Sequence, residues 1–96
     1  MRYFHRTALS QPDVLRAADE YFGGRFSPGP TGDRFRTYTG AVGKITIRVA
    51  SEAGHYTLIT VDTDQVGESE ADKVAKRFLS TVHHKAEPTH QLRGAY

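Results

Sequence analysis

The sequence contains no cysteine, which excludes disulfide frameworks, thiolate metal sites, iron–sulfur ligation and thiol nucleophiles together. Stability must come from packing. No run approaches the about 18 consecutive apolar residues of a membrane span, so any membrane association is expected to be peripheral. The first residues, Met1-Arg-Tyr-Phe-His-Arg-Thr-Ala-Leu9, carry charges within their apolar run and lack the apolar core of a signal peptide. The expected location is the cytoplasm.

Catalytic signatures are missing as well. There is no Gly-x-Ser-x-Gly elbow and no sequence-local acid/base pair among Asp, Glu, His and Tyr. Gly40-Ala-Val-Gly-Lys-Ile-Thr46 is not a phosphate loop, because Tyr38 stands where its first glycine belongs, Ile45 follows the lysine, and a strand comes next. Five histidines are present, but none forms a His-x-x-x-His pair. His83 and His84 are adjacent on a helix and point about 100° apart, and His5, His55 and His90 fall on other elements. Asp62-x-Asp64 could hold a divalent ion, although two acids where a strand gives way to a helix are commonplace. With no cysteine and no clear carboxylate partner for the histidines, neither a metal nor a cofactor is expected. The chain reads as a non-enzyme.

What remains is ordinary globular material. Hydrophobic residues at 38% and charged residues at 25% exclude wholesale disorder. Ninety-six residues allow one core, and a domain of this size buries roughly 60 to 68% of the surface of its unfolded chain. We expect a single domain over residues 1–88 and a C-terminal tail over 89–96. The net charge of +2 says little by its total; the placement of the charges says more.

Lys44 to Val61 organises the chain. Ile45, Ile47 and Val49 alternate with Lys44, Thr46 and Arg48, the pattern of a half-buried strand. Ser51-Glu-Ala-Gly54 turns it into a second strand over 55–61. Upstream, Arg2 to Leu9 reads as a strand whose buried face is open, since Tyr3, His5, Thr7 and Leu9 face one way and Arg2, Phe4, Arg6 and Ala8 the other. Ser10 or Gln11, Pro12 and Asp13 then start a helix, and Val14, Leu15, Ala18, Tyr21 and Phe22 supply its apolar stripe. Gly23-Gly24 ends it. Phe26 to Asp33, with two prolines and two glycines, is expected as irregular loop, and Arg34 to Thr39 as a strand. A second helix begins at the Ser69-x-x-Asp72 capping signature, runs on the stripe of Ala71, Val74, Ala75, Phe78, Leu79 and Val82, and stops at Pro88.

The expected fold is therefore an α+β two-layer sandwich, β-α-β-β-β-α, with a four-stranded, mostly antiparallel sheet and both helices on one face. This element order is similar to a half-repeat of the TATA-binding-protein fold, a resemblance of order alone that implies nothing about function.

No Asp or Glu lies inside any predicted strand, whereas Arg2, Arg6, Arg34, Arg36, Lys44 and Arg48 do or stand at a strand end. If the helices cover one face, the other presents Arg34, Arg36, Tyr38, Lys44, Thr46 and Arg48 together. Guanidinium groups beside an aromatic ring suit an acidic protein surface, nucleic-acid phosphates and bases, or anionic lipid headgroups. The plainer explanation is solvation, with arginine stems covering β-branched neighbours. Leu92, Arg93 and Tyr96 in the tail are candidate anchors for a partner. The preferred expectation is a non-enzymatic interaction module, an accessory or structural subunit that docks through its basic sheet face, an edge strand or the C-terminal arm. Its partner would be another protein or a second copy of the chain. The alternative is a nucleic-acid-binding protein using the same face, and the third a small-ligand-binding domain or enzyme.

Overall fold

The computed structural model describes residues 1–66 and 69–86. Their order is β1 (Arg2–Thr7), α1 (Gln11–Phe22), β2 (Ser27–Gly32), β3 (Phe35–Gly40), β4 (Gly43–Glu52), β5 (Tyr56–Thr63) and α2 (Glu70–Ala86). The strands form one sheet in the order β1-β5-β4-β3-β2, and every neighbouring pair is antiparallel. The architecture is α+β, with five strands where four were expected.

The additional strand is β2, from the stretch expected as a loop. Ser27 and Pro28 pair with Thr39 and Tyr38, Thr31 and Gly32 with Arg36 and Phe35, and the register shifts between Pro28 and Thr31. Prolines are tolerated because β2 is an edge strand with a partner on one side only. Local composition opposed a strand, and pairing with β3 supplied one.

Both helices start where the sequence places them. The Ser10 hydroxyl accepts from the Asp13 N–H at 3.2 Å, and the Ser69 hydroxyl accepts from the Asp72 N–H at 3.2 Å. Because β1 and β2 lie at opposite edges, α1 carries the chain across the sheet. It packs over β3 and β4, while α2 covers β1, β5 and β4. Ile45, Ile47, Ile59 and Val61 from the sheet meet Val14, Phe22, Phe78 and Leu79 from the helices in one fully buried core. Each such burial stabilises the fold by roughly 1.5–3 kcal/mol relative to exposure.

The face of β1 that is buried carries Tyr3, His5 and Thr7, which pair with Val61, Ile59 and Thr57 of β5. Tyr3 donates its hydroxyl to Asp72 at 2.8 Å, and the His5 ring meets the His83 ring edge-on at 5.8 Å. Asp72, expected as the capping-box partner of Ser69, is fully buried. Its carboxylate also accepts the hydroxyls of Thr63, at 3.0 Å, and Ser69. Burial alone would raise its pKa, but the donors from Ser69, Tyr3 and Thr63 outweigh that and hold the carboxyl below its ordinary value. Strict alternation along β1 then sends Arg2, Phe4 and Arg6 to the other side. No helix among the described residues is long and apolar enough to cross a membrane.

Candidate docking face

Among the described residues one side of the sheet carries no helix, and pairing register determines what it displays. Lys44, Thr46, Arg48, Ala50 and Glu52 alternate with the buried Ile45, Ile47 and Val49 of β4, so they occupy the open side. Residues directly opposite in an antiparallel ladder share a face. Arg48 lies between Phe35 of β3 and Thr60 of β5, and Phe4 of β1 continues that row. One row further along, Ala50 pairs with Leu58, which pairs with Arg6.

The same register removes two expected residues from this face. Arg36 is paired with Ile47 and Tyr38 with Ile45, so both project toward the helices. Tyr38 is only 2% exposed; its ring stacks on Phe22 with centroids 4.7 Å apart, and its hydroxyl donates to Asp19 at 2.6 Å. Burial, then the bond to Asp19, pushes its pKa well above the ordinary tyrosine value. Arg36 donates from Nη1 to the carbonyls of Gly32, at 2.6 Å, and Phe35, at 2.9 Å. Its Nε reaches Asp19 at 3.3 Å. These bonds close the turn between β2 and β3, and Arg34 sits in that turn with Asp33.

Arg34, Lys44 and Arg48 are thus brought to the open side and exposed, whereas Arg36 and Tyr38 belong to the α1 side. Leu92, Arg93 and Tyr96 lie outside the described residues. Sequence reasoning had paired the cations with the wrong aromatic side chain: Phe35, not Tyr38, stands beside Arg48. Phe4 and Leu58 were also missed. Phe4 is 61% exposed, and the alternation of β1 offered both of its faces without a preference.

The open face also carries carboxylates. β4 and β5 extend beyond their expected ends to include Glu52 and Asp62, and both alternate onto the side of the arginines. Arg2 donates from Nε to Asp62 at 2.6 Å, with Arg48 more distant from the same carboxylate at 3.8 Å. Arg6 holds Glu52 through bonds of 2.8 and 3.1 Å, which keep that carboxyl below its usual range. Arg34 has no ion pair among the described residues. The face is therefore a mosaic of cations, internal ion pairs and exposed apolar groups.

This face holds a shallow hollow of about 300 Å³. It is lined by the apolar Ala50, Leu58 and Phe35 together with Arg34, Arg48 and Thr60. Phe35 adopts its position because Gly32 has no side chain: a Cβ there would collide with the ring.

No group of three or more His, Cys, Asp or Glu residues is arranged to hold a metal ion among the described residues. Asp62 is engaged by Arg2 and Arg48, and Asp64 accepts the Lys44 N–H at 2.9 Å and the Gln65 amide at 3.1 Å. The Lys44 N–H, followed by the Gln65 amide, lowers the pKa of Asp64. No protein-family model matches the chain, and no curated protein matches it.

Proposed function

We propose that this protein is a non-enzymatic interaction module, an accessory or structural subunit of a cytoplasmic assembly, and that it docks a protein partner through the open face of its sheet. The observation that carries this reading is the row Phe4, Thr60, Arg48, Phe35, which places the exposed ring of Phe4, the half-buried ring of Phe35 and a guanidinium together on a face that carries no helix among the described residues. Aromatic residues and arginine are the usual anchors of protein interfaces. Rigid strands supply them at little ordering cost, since β3, β4 and β5 are held by ladders on both sides and β1 by its ladder to β5.

Nucleic acid on the same face is the second reading, supported by Phe4 and Phe35 as stacking rings beside Arg48. Asp62 and Glu52 weigh against it, because these carboxylates repel phosphates and occupy Arg2 and Arg6.

Affinity purification of the tagged full chain from its native host, with mass spectrometry, tests the proposal. A stoichiometric protein partner is expected from the wild type and its loss from Phe4→Ser/Leu58→Glu, with circular dichroism confirming that the variant is folded. Recovery of a lone monomer, or a partner retained by the folded variant, would refute it.

A further inference from the structure

We infer that the segment recognised by the open face is acidic and apolar, an Asp- or Glu-bearing stretch of a partner protein that seats an aliphatic or aromatic side chain over Ala50 and Leu58 while its carboxylates engage Arg34 and Arg48. This rests on the docking reading above and specifies the partner's chemistry.

Two features of the hollow carry the inference. Ala50, Leu58 and Phe35 give its lining an apolar part, and both guanidinium groups of that lining have donors to spare. Asp62 is committed to Arg2 at 2.6 Å, and its 3.8 Å separation from Arg48 exceeds hydrogen-bond length. Arg34 has no ion-pair partner among the described residues, and its backbone carbonyl is occupied by the Val49 N–H at 2.9 Å, which fixes the root of the side chain. A planar guanidinium matches a carboxylate in bidentate geometry. An apolar side chain between the two arginines removes Leu58 and the Phe35 ring edge from water.

Charge also argues against the other occupants. Two copies of the chain related by a two-fold axis through the hollow would bring Arg34 and Arg48 close to their own copies, where like charges repel. A phosphate polyanion would meet Asp62 and Glu52 wherever it tracked across β4 and β5. An acidic segment confined to the hollow meets Asp62 only at Arg48, 3.8 Å away, where that carboxylate is already held by Arg2, and Glu52 is held by Arg6.

Peptide selection on the immobilised full chain provides the test. A random peptide display library is screened against the wild type and against Arg34→Glu/Arg48→Glu. Recovered peptides are then titrated by fluorescence anisotropy, with a thymidine oligonucleotide and phosphatidylserine vesicles as competing probes. The wild type is expected to select peptides of net negative charge containing a large apolar residue, and the charge-reversed variant to select basic ones. Arg34→Ala/Arg48→Ala should weaken the acidic peptides by about tenfold or more, the scale of a lost charge-assisted hydrogen bond, and Leu58→Glu should abolish their binding.

Selection of neutral or basic peptides by the wild type, recovery of none, or tighter binding of the oligonucleotide or vesicles through the same arginines overturns the inference. If the wrong peptides are selected but still lost in Leu58→Glu, the docking face stands and only the partner chemistry falls. If acidic peptides bind equally well to Leu58→Glu and Arg34→Ala/Arg48→Ala, both fall.

Discussion

Tyr38 and Asp19 are joined by a 2.6 Å hydrogen bond that ties the middle of β3 to the outer turn of α1. The tyrosine ring is clasped between that bond and the stacked ring of Phe22, so its two ends report on different forces. Tyr38→Phe should cost about 1 kcal/mol for the lost bond, because Asp19 is exposed and keeps Arg36. Tyr38→Ala should cost about 3–5 kcal/mol as a cavity opens beside Phe22. Urea unfolding of the two variants separates the contributions, and equal costs would contradict this account.

The same residue sets a pH dependence in base. Its folded pKa lies above the ordinary value of 10.0, so the unfolded chain loses this proton first. Stability from this group is fully present below that value and declines as pH rises above it, toward the folded pKa. Denaturation followed across the alkaline range should show a decline that is smaller in Tyr38→Phe.

Asp72 should act at the opposite end of the scale. Its folded pKa is below the ordinary 3.8, so its contribution is present above that value and is lost as pH falls through the folded pKa. Asp72→Ala removes the carboxylate that accepts from Tyr3, Thr63 and Ser69 and should cost about 2–4 kcal/mol near neutrality. The gap from wild type should narrow in acid. A gap independent of pH would show that packing, not the carboxylate, is what the substitution removes.

Arg34 and Arg36 stand two residues apart and should behave differently. Arg36→Ala removes the bonds to the carbonyls of Gly32 and Phe35 and should destabilise the fold by about 1–2 kcal/mol. Arg34→Ala should change stability by less than about 0.5 kcal/mol and instead weaken partner capture. Thermal melts and pull-downs on the two variants give the comparison; reversed effects would mean that the turn, and not its arginine, is what the partner reads.

Gly32→Ala should disturb the hollow from behind. Its new Cβ would collide with the Phe35 ring, at a cost of about 1–3 kcal/mol if the ring cannot retreat. Phe35→Ala should relieve the clash, making the double variant less destabilised than the sum of the single ones. Strict additivity in urea unfolding would show that the ring had already moved aside.

The sequence by itself determined the two helices, their caps and the inward face of β4. Those signals are local: Ser10 caps its own first turn, the stripe of α2 repeats within one helix, and Ile45, Ile47 and Val49 differ sharply in polarity from Lys44, Thr46 and Arg48. Only the tertiary structure decided the composition of the open face. In β3, Phe35 alternates with Arg36 and Thr37 with Tyr38, so each side holds one aromatic and one polar residue, and local polarity cannot choose between them. The ladder chooses, by setting Phe35 opposite Arg48 and Tyr38 opposite Ile45. Pairing also makes a strand of the proline-rich β2 and carries β4 and β5 far enough to include Glu52 and Asp62. Backbone groups at those positions find their partners across the sheet, between residues far apart in the chain, where no local pattern can register them.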